Sequence, residues 1–284
     1  MSHLETEYTT HDGIKLFLQA WMPEKAVASI LIVHGLGEHS SRYAHLADAL
    51  VKKNVAVFTF DGRGHGKSSL PKPTAYFSDY KDYLQDIDAL FEKVKNYFPS
   101  VPAFIFGHSM GGGLVASYML EYQSEAAGVI LSAPAMKPDD KVSPILLRLS
   151  GLISAIFPKL KVLQLDSSKI SRDPLEVDKY NRDPLVYTQS IPSRTAYQLL
   201  RIIKYIESNS NKFHWPVLML HGTGDELTNP KGTEQFFRTA ISEDKTFHRY
   251  PDLYHELINE LEKESIISDI LDWIEERVNL SVKG

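Results

Sequence analysis

Cysteine is absent from the chain. That excludes disulfides, thiolate nucleophiles and cysteine-ligated zinc, and it makes a reducing compartment, the cytoplasm, the simplest setting. A surplus of positive charge is also lacking: 31 basic residues against 36 acidic ones leave a net charge of −5. The basic residues form no arm or tail, so no nucleic-acid partner is expected. Long apolar runs are missing too, none approaching the roughly 20 residues that span a bilayer. The opening stretch MSHLETEYTTHDGIKLFLQAWMP has neither the basic start nor the continuous apolar core of a secretion signal. Repeats and low-complexity tracts do not occur, and the sequence specifies no oligomeric state. What remains is ordinary globular composition, 43% hydrophobic over 284 residues, enough for one large core or a core with an insertion.

Five near-continuous apolar runs stand out: 28–35 (ASILIVHG), 55–62 (VAVFTFDG), 103–109 (AFIFGHS), 127–134 (AGVILSAP) and 216–222 (PVLMLHG). Their length and β-branched content predict strands buried on both faces of a parallel sheet. Helical patterns lie between and after them, at 43–53, 80–98, 112–123 and 264–278. The alternation predicts a doubly wound, mostly parallel α/β sheet. It breaks once, between Pro134 and Pro216. We therefore expect a core of residues 1–135 and 213–284, with 136–212 inserted as a mainly helical cap. Within that insertion Pro144 and Pro158 bracket a helical pattern that puts Ile145, Leu149, Leu152 and Ile156 on one face, with Leu146, Ile153 and Phe157 beside it.

Ligands of an open α/β sheet gather at the carboxyl ends of its strands, and here those ends read HGLGEHSSRY, DGRGHGKSS, GHSMGGG, SAPAMKPDD and HGTGDELTNP. Gly66-Lys67-Ser68 resembles the tail of a phosphate-binding loop, but the glycine that the motif needs five residues earlier is Asp61. Gly107-His108-Ser109-Met110-Gly111 fits the strand-to-helix nucleophile elbow G-x-S-x-G, with an apolar strand before it and a small-residue helix start after it. The plain alternative is an N-cap serine in a glycine turn.

A serine hydroxyl needs a base to take its proton and an acid to orient that base. The strand after the elbow's helix ends in LSAPAMK, with no carboxylate before Asp139, whereas the next ends in LMLHGTGDE. Asp225 is thus the expected acid, and Glu226 the alternative. His248 lies inside an alternating, strand-like segment, while His255 follows it on a loop, so His255 is the expected base. His34 and His65 read as loop braces and His108 as a flank of the nucleophile. Acyl transfer also requires donors for an oxyanion. The backbone N–H of Met110, just after the nucleophile, and that of Leu36, in the loop HGLGEHS, are the candidates.

Taken together, HGLGEHSSRY, FDGRGHGKS, GHSMGGG, HGTGDE and YHELINE resemble the monoacylglycerol lipase and lysophospholipase branch of the α/β-hydrolases, which is close to the serine aminopeptidase-like hydrolases. The likeness runs from about residue 8 to residue 275 and includes LDSSKISRDPLEVDKYNRDPL within the insertion. It implies an α/β-hydrolase fold and cofactor- and metal-free cleavage of a lipid ester, monoacylglycerol to glycerol and fatty acid, with lysophospholipids or simple esters as alternatives. It further implies that Glu38, Arg42 and Tyr180 contact the glycerol end. Where mammalian members of the branch carry a second histidine, three residues after the base, this chain has Ile258. Between Lys137 and Lys161, five basic residues (Lys137, Lys141, Arg148, Lys159, Lys161) face two acidic ones (Asp139, Asp140). A local +3 beside apolar side chains suits peripheral contact with an anionic lipid surface through the cap; packing of the same residues onto the core is the alternative.

Overall fold

The computed structural model describes residues 2–138 and 144–283, with the side chains of 144–147 and 281–283 left out. Asp139, Asp140 and Lys141 of the charge count, and the side chains of Ile145 and Leu146 of the apolar face, lie outside the described residues. The chain opens with two antiparallel strands, β1 (Ser2–Thr9) and β2 (Lys15–Met22). It then alternates through β3 (Ala28–Val33), α1 (Ala44–Lys52), β4 (Val55–Phe60), α2 (Tyr80–Tyr97), β5 (Ala103–His108), α3 (Met110–Tyr122) and β6 (Gly128–Ser132). Next come α4 (Pro144–Ile156), β7 (Lys161–Leu163), α5 (Pro174–Arg182), β8 (Ile191–Pro192) and α6 (Ser193–Asn209). The alternation resumes with β9 (Val217–Gly222), α7 (Pro230–Thr239), β10 (Lys245–Tyr250) and α8 (Lys263–Lys283).

One eight-stranded sheet has the order β1-β2-β4-β3-β5-β6-β9-β10, parallel from β4 through β10. The apolar runs are continuous because alternate residues serve different layers. Ala103 and Ile105 of β5 pack with α2, α3 and α6, whereas Phe104 and Phe106 pack with α1 and α8. The same division holds for Val129 and Leu131 against Ile130, and for Val217 and Met219 against Leu218 and Leu220. Parallel strands bring the carboxyl ends of β3, β4, β5, β6, β9 and β10 to one edge, and the loops quoted above follow them.

Element ends follow local chemistry. Asp79 caps α2 by accepting the Lys81 N–H, while α5 and α7 each begin with proline after a capping Asp173 or Asn229. The sequence reading anticipated the five buried strands and the four core helices within a few residues, and β10 as the final strand. It did not resolve α5, α6 and α7, or the antiparallel edge pair β1 and β2. α3 begins at Met110, two residues earlier than expected, since its three glycines lie against other backbone rather than preceding the helix.

Between β6 and β9, α4 packs against α6 where Gly151 faces the Tyr197 ring. Ile153 points inward, while Leu149, Leu152, Ile156 and Phe157 are between 47% and 60% exposed. Among the described residues no helix is long and apolar enough to cross a membrane.

At the elbow backbone packs directly on backbone. A Cβ on Gly107 would lie 2.4 Å from the Gly111 carbonyl oxygen, and one on Gly111 would lie 2.2 Å from that of Val33. Gly111→Ala is therefore expected to lower stability by about 1–3 kcal/mol, the usual range for overpacking a filled core, or to prevent folding. A melting temperature equal to that of the wild type would contradict this account of the elbow.

Candidate active site

Ser109 occupies the N-cap position of α3 with φ 53° and ψ −119°, and its hydroxyl makes no capping hydrogen bond. A serine serving only as a cap would accept an N–H of the first turn from ordinary extended backbone. Here the turn is instead locked from outside: Ser109 N–H donates to the Ser132 carbonyl at 3.0 Å, and Ser109 C=O accepts from Gly113 at 3.1 Å and Ala135 at 3.0 Å. The side chain is thereby presented to a cavity of about 530 Å³ that His255, Leu36 and Met110 also line.

His255 follows β10 and precedes α8. Its Nδ1 is 2.7 Å from Asp225 Oδ2, with the Asp225 side chain fully buried behind it. Burial alone would make His255 less basic, but the Asp225 carboxylate outweighs that and raises its pKa above the usual 6.5. Burial likewise opposes ionisation of Asp225, and His255 and His221 overcome it, holding the carboxyl well below the ordinary range. The His108 ring lies 4.7 Å from that of His255, tilted 49° to it. Burial first, and then the His255 charge, depress its pKa to about 4, so it stays neutral at pH 7.

The other groups weighed in the sequence lie elsewhere. Glu226 is about half exposed and pairs with Lys169 at 2.6 Å. His248 lies on the edge strand beside Asp269. His34 accepts the Gly62 N–H and bonds the Gly35 carbonyl, and His65 bonds the Arg63 carbonyl, so both brace loops. The would-be phosphate loop is filled by Asp61, which accepts from Ser40 and from the Lys67 N–H. Ile258 is buried in the core against α1 and α8. Among the described residues no cluster of His, Asp or Glu is arranged to hold a metal ion.

Met110 is the first residue of α3, where a helix leaves its N–H groups unpaired. Leu36 sits in a turn that Gly37, at φ 81°, allows to reverse. That turn is tied down by Glu38, which accepts the Gly35 N–H at 2.6 Å and the Tyr43 hydroxyl at 2.7 Å through Oε1, and Arg42 at 2.9 Å through Oε2. Burial works against the Glu38 charge, but Arg42 beside it, with His108 and His34, lowers its pKa to about 2. Arg42 departs from expectation: its two terminal nitrogens each lie 2.6 Å from a carboxylate oxygen of Glu256, and its guanidinium stacks on the Tyr180 ring. Glu38 and Tyr180 line the cavity, and Arg42 sits behind them. The resemblance implied that Arg42 contacts the glycerol end; in the structure its guanidinium is held by the two buried acids and does not line the cavity.

Three participants escaped the sequence reading. Glu256 anchors Arg42, while His221 and Thr228 both reach Asp225 Oδ2, at 3.0 Å and 2.8 Å. The available signal for His221 was a lone polar residue closing an otherwise apolar buried strand, four positions before the acid.

A family model described as serine aminopeptidase, S33, matches residues 24–262. Monoacylglycerol lipase of Mycolicibacterium smegmatis is 31% identical over 263 residues, spanning 92% of this chain and 93% of that protein. Monoglyceride lipase of Homo sapiens is 32% identical over 270 residues, spanning 94% and 88%. The crystal structure of Paleococcus ferrophilus monoacylglycerol lipase aligns with a TM-score of 0.79 at 28% identity, covering 98% of this chain and 100% of that one.

If Asp225 orients His255, Asp225→Asn should cost on the order of 10⁴-fold in kcat, the loss seen when the equivalent acid of a serine protease is amidated. Glu226→Gln should be close to wild type. Steady-state kinetics of the two variants on one ester decide it, and the reverse ranking would move the acid to Glu226.

Proposed function

The chain belongs to the serine aminopeptidase S33 family and is a serine hydrolase of lipid esters with the α/β-hydrolase fold, and from that premise we propose that it cleaves monoacylglycerol to glycerol and fatty acid. The observation that carries the choice of substrate is the two-natured wall of the cavity. Beside Ser109 and His255 it presents Glu38, Tyr180 and Glu256, while residues 153–203 supply Ile153, Val162, Leu163, Ile191, Leu200 and Ile203. A single-chain lipid with a small polyol head has the matching division. An aminopeptidase would need a free carboxylate for the substrate's amine. Among the described residues the four acids on this wall are engaged: Glu38 and Glu256 with Arg42, Glu226 with Lys169, and Asp166 with Ser168.

In the reaction we assign, His255 takes the Ser109 proton as the hydroxyl attacks the ester carbonyl. The oxyanion is held by the N–H groups of Leu36 and Met110. His255 returns the proton to the departing glycerol, and a water molecule, activated by the same histidine, releases the fatty acid. Asp225 remains ionised throughout. Glu38 and Tyr180 are our candidates for the glycerol hydroxyls, with Arg42 acting through them. Residues 136–212 serve as the cap of this site. Its outer face, with Leu149, Leu152, Ile156 and Phe157 exposed near Arg148, Lys159 and Lys161, is the surface we assign to peripheral contact with anionic lipid.

Two measurements test this reading. His255 must be neutral to act as base, and its raised pKa moves that requirement upward. The kcat/KM of the wild type should fall with decreasing pH along a limb centred above 6.5; a limb below 6.5 would remove His255 as the titrating base. The second is a panel of monoacylglycerols, lysophospholipids, nitrophenyl butyrate and aminoacyl amides, run on wild type, Ser109→Ala and the double variant Leu149→Ser/Ile156→Ser. We expect monoacylglycerols to be preferred and Ser109→Ala to be inert and unlabelled by a fluorophosphonate. The double variant should lose binding to anionic vesicles and long-chain turnover while keeping the soluble ester. Preference for lysophospholipid or amide would replace the substrate, and equal loss on all esters would remove the membrane role.

A further inference from the structure

Asp225 is surrounded by more donors than orientation of His255 requires. Oδ1 accepts the N–H groups of Leu227 at 2.8 Å and Thr228 at 3.0 Å, which fixes the plane of the carboxylate. Oδ2, the oxygen that faces His255, also has His221 Nε2 at 3.0 Å and Thr228 Oγ1 at 2.8 Å. Thr228 has one hydroxyl proton, and the Ala133 carbonyl at 3.0 Å competes for it. His221 is thus the second side chain whose N–H can be committed to Oδ2. It does not line the cavity, it is almost wholly buried, and the acyl-transfer steps above make no use of it.

The tautomer of His221 follows from its other nitrogen. Nδ1 lies 2.7 Å from Oγ1 of Thr233, a residue with no solvent exposure in α7. If Nδ1 carried the only ring proton, Nε2 would present a lone pair to an ionised carboxylate at 3.0 Å, a repulsive contact in a buried site. Of the two neutral tautomers, the one free of that repulsion has the Thr233 hydroxyl donating to Nδ1 and Nε2–H donating to Asp225. One chain of buried hydrogen bonds then runs from α7 through β9 to His255: Thr233 to His221 to Asp225 Oδ2, the oxygen that His255 Nδ1 also contacts.

We propose that His221, held in its Nε2–H tautomer by Thr233, is a positioning residue for His255. Its N–H keeps one lone pair of Asp225 Oδ2 aimed at His255 Nδ1 and draws negative charge away from that oxygen. The first effect preserves the orientation of the base. The second limits how strongly Asp225 favours the imidazolium, so the base is neutral over a wider pH range than an unshielded carboxylate would allow. The titratable groups that face His255 are Asp225, His108, Glu256 and Glu38, and of these His221 contacts Asp225, the group through which its effect is transmitted.

The inference rests on the triad reading, and the experiment separates the two. His221→Phe and Thr233→Val are purified as full chains beside Ser109→Ala and Asp225→Asn. Fluorophosphonate labelling to completion counts folded sites, and kcat/KM for nitrophenyl butyrate and a monoacylglycerol is followed from pH 5 to 9. His221→Phe should lose about 10–100-fold in kcat/KM, the scale on which removal of a second-layer hydrogen-bond partner acts at metal sites. The loss should fall on kcat and be equal for both esters, and the acid limb should move to higher pH. Thr233→Val, which leaves His221 in place, should shift the limb in the same direction with a smaller rate loss. If His221→Phe yields no labelled protein, Thr233→Val alone decides. An acid limb at the wild-type position in either folded variant overturns the proposal. Should that occur while Ser109→Ala and Asp225→Asn are inactive, the triad stands and only the role of His221 falls. Activity in Ser109→Ala would remove both.

Discussion

Ser109 sits at φ 53° and ψ −119°, a backbone region that costs a residue with a Cβ on the order of 1–3 kcal/mol, and most of the molecule is arranged so that this turn persists. It persists because the chain on either side cannot relax. β5 is clamped between β3 and β6, and α3, eleven of whose thirteen residues are buried, cannot rotate without breaking the core. Relief would require separating backbone surfaces already in contact at Gly107 and Gly111. A buried parallel sheet, a helix apolar on all sides and a serine with a free hydroxyl are therefore one constraint seen at three scales.

The second element is electrostatic. Glu38, Arg42 and Glu256 are all nearly excluded from solvent, and burying ion pairs returns little net stability once desolvation is counted. What the trio does is connect loops. Through Glu38 it holds the Gly35 N–H, hence the turn that carries Leu36. Through Glu256 it holds the residue after His255. The Tyr180 ring against Arg42 extends the connection to α5. The Leu36 turn, His255 and α5 are kept in register by this trio, of which Glu38 and Glu256 also line the cavity while Arg42 sits behind them.

The helix α4 faces two environments. Ile153 lines the cavity and Ser154 is buried, while Leu149, Leu152, Ile156 and Phe157 face outward. An amphipathic helix ordinarily turns a polar face to water; here the described outward side chains are large and apolar beside exposed Arg148.

The alternation of strands and helices, the elbow, and the order of Ser109, Asp225 and His255 along the chain could be read from the sequence, because each depends on residues close together: continuous apolar runs, glycines two apart from a serine, an acid and a histidine just past strand ends. α5, α6 and α7 escaped that reading, since their apolar faces are defined by what packs on them. So did the commitment of Arg42 to Glu256, 214 positions away, and the meeting of His221 and Thr228 at one carboxylate oxygen. Asp225 and Glu226 are adjacent and chemically alike, and sequence could only prefer one. Burial behind His255 separated them, leaving one ionised among donors and the other half exposed on Lys169. Local pattern specifies which groups are available and in what order, because periodicity and turn chemistry act over a few residues. Which of them share a dry space, and so interact strongly enough to have a function, is decided only when the sheet brings distant loops to one edge and excludes water from between them.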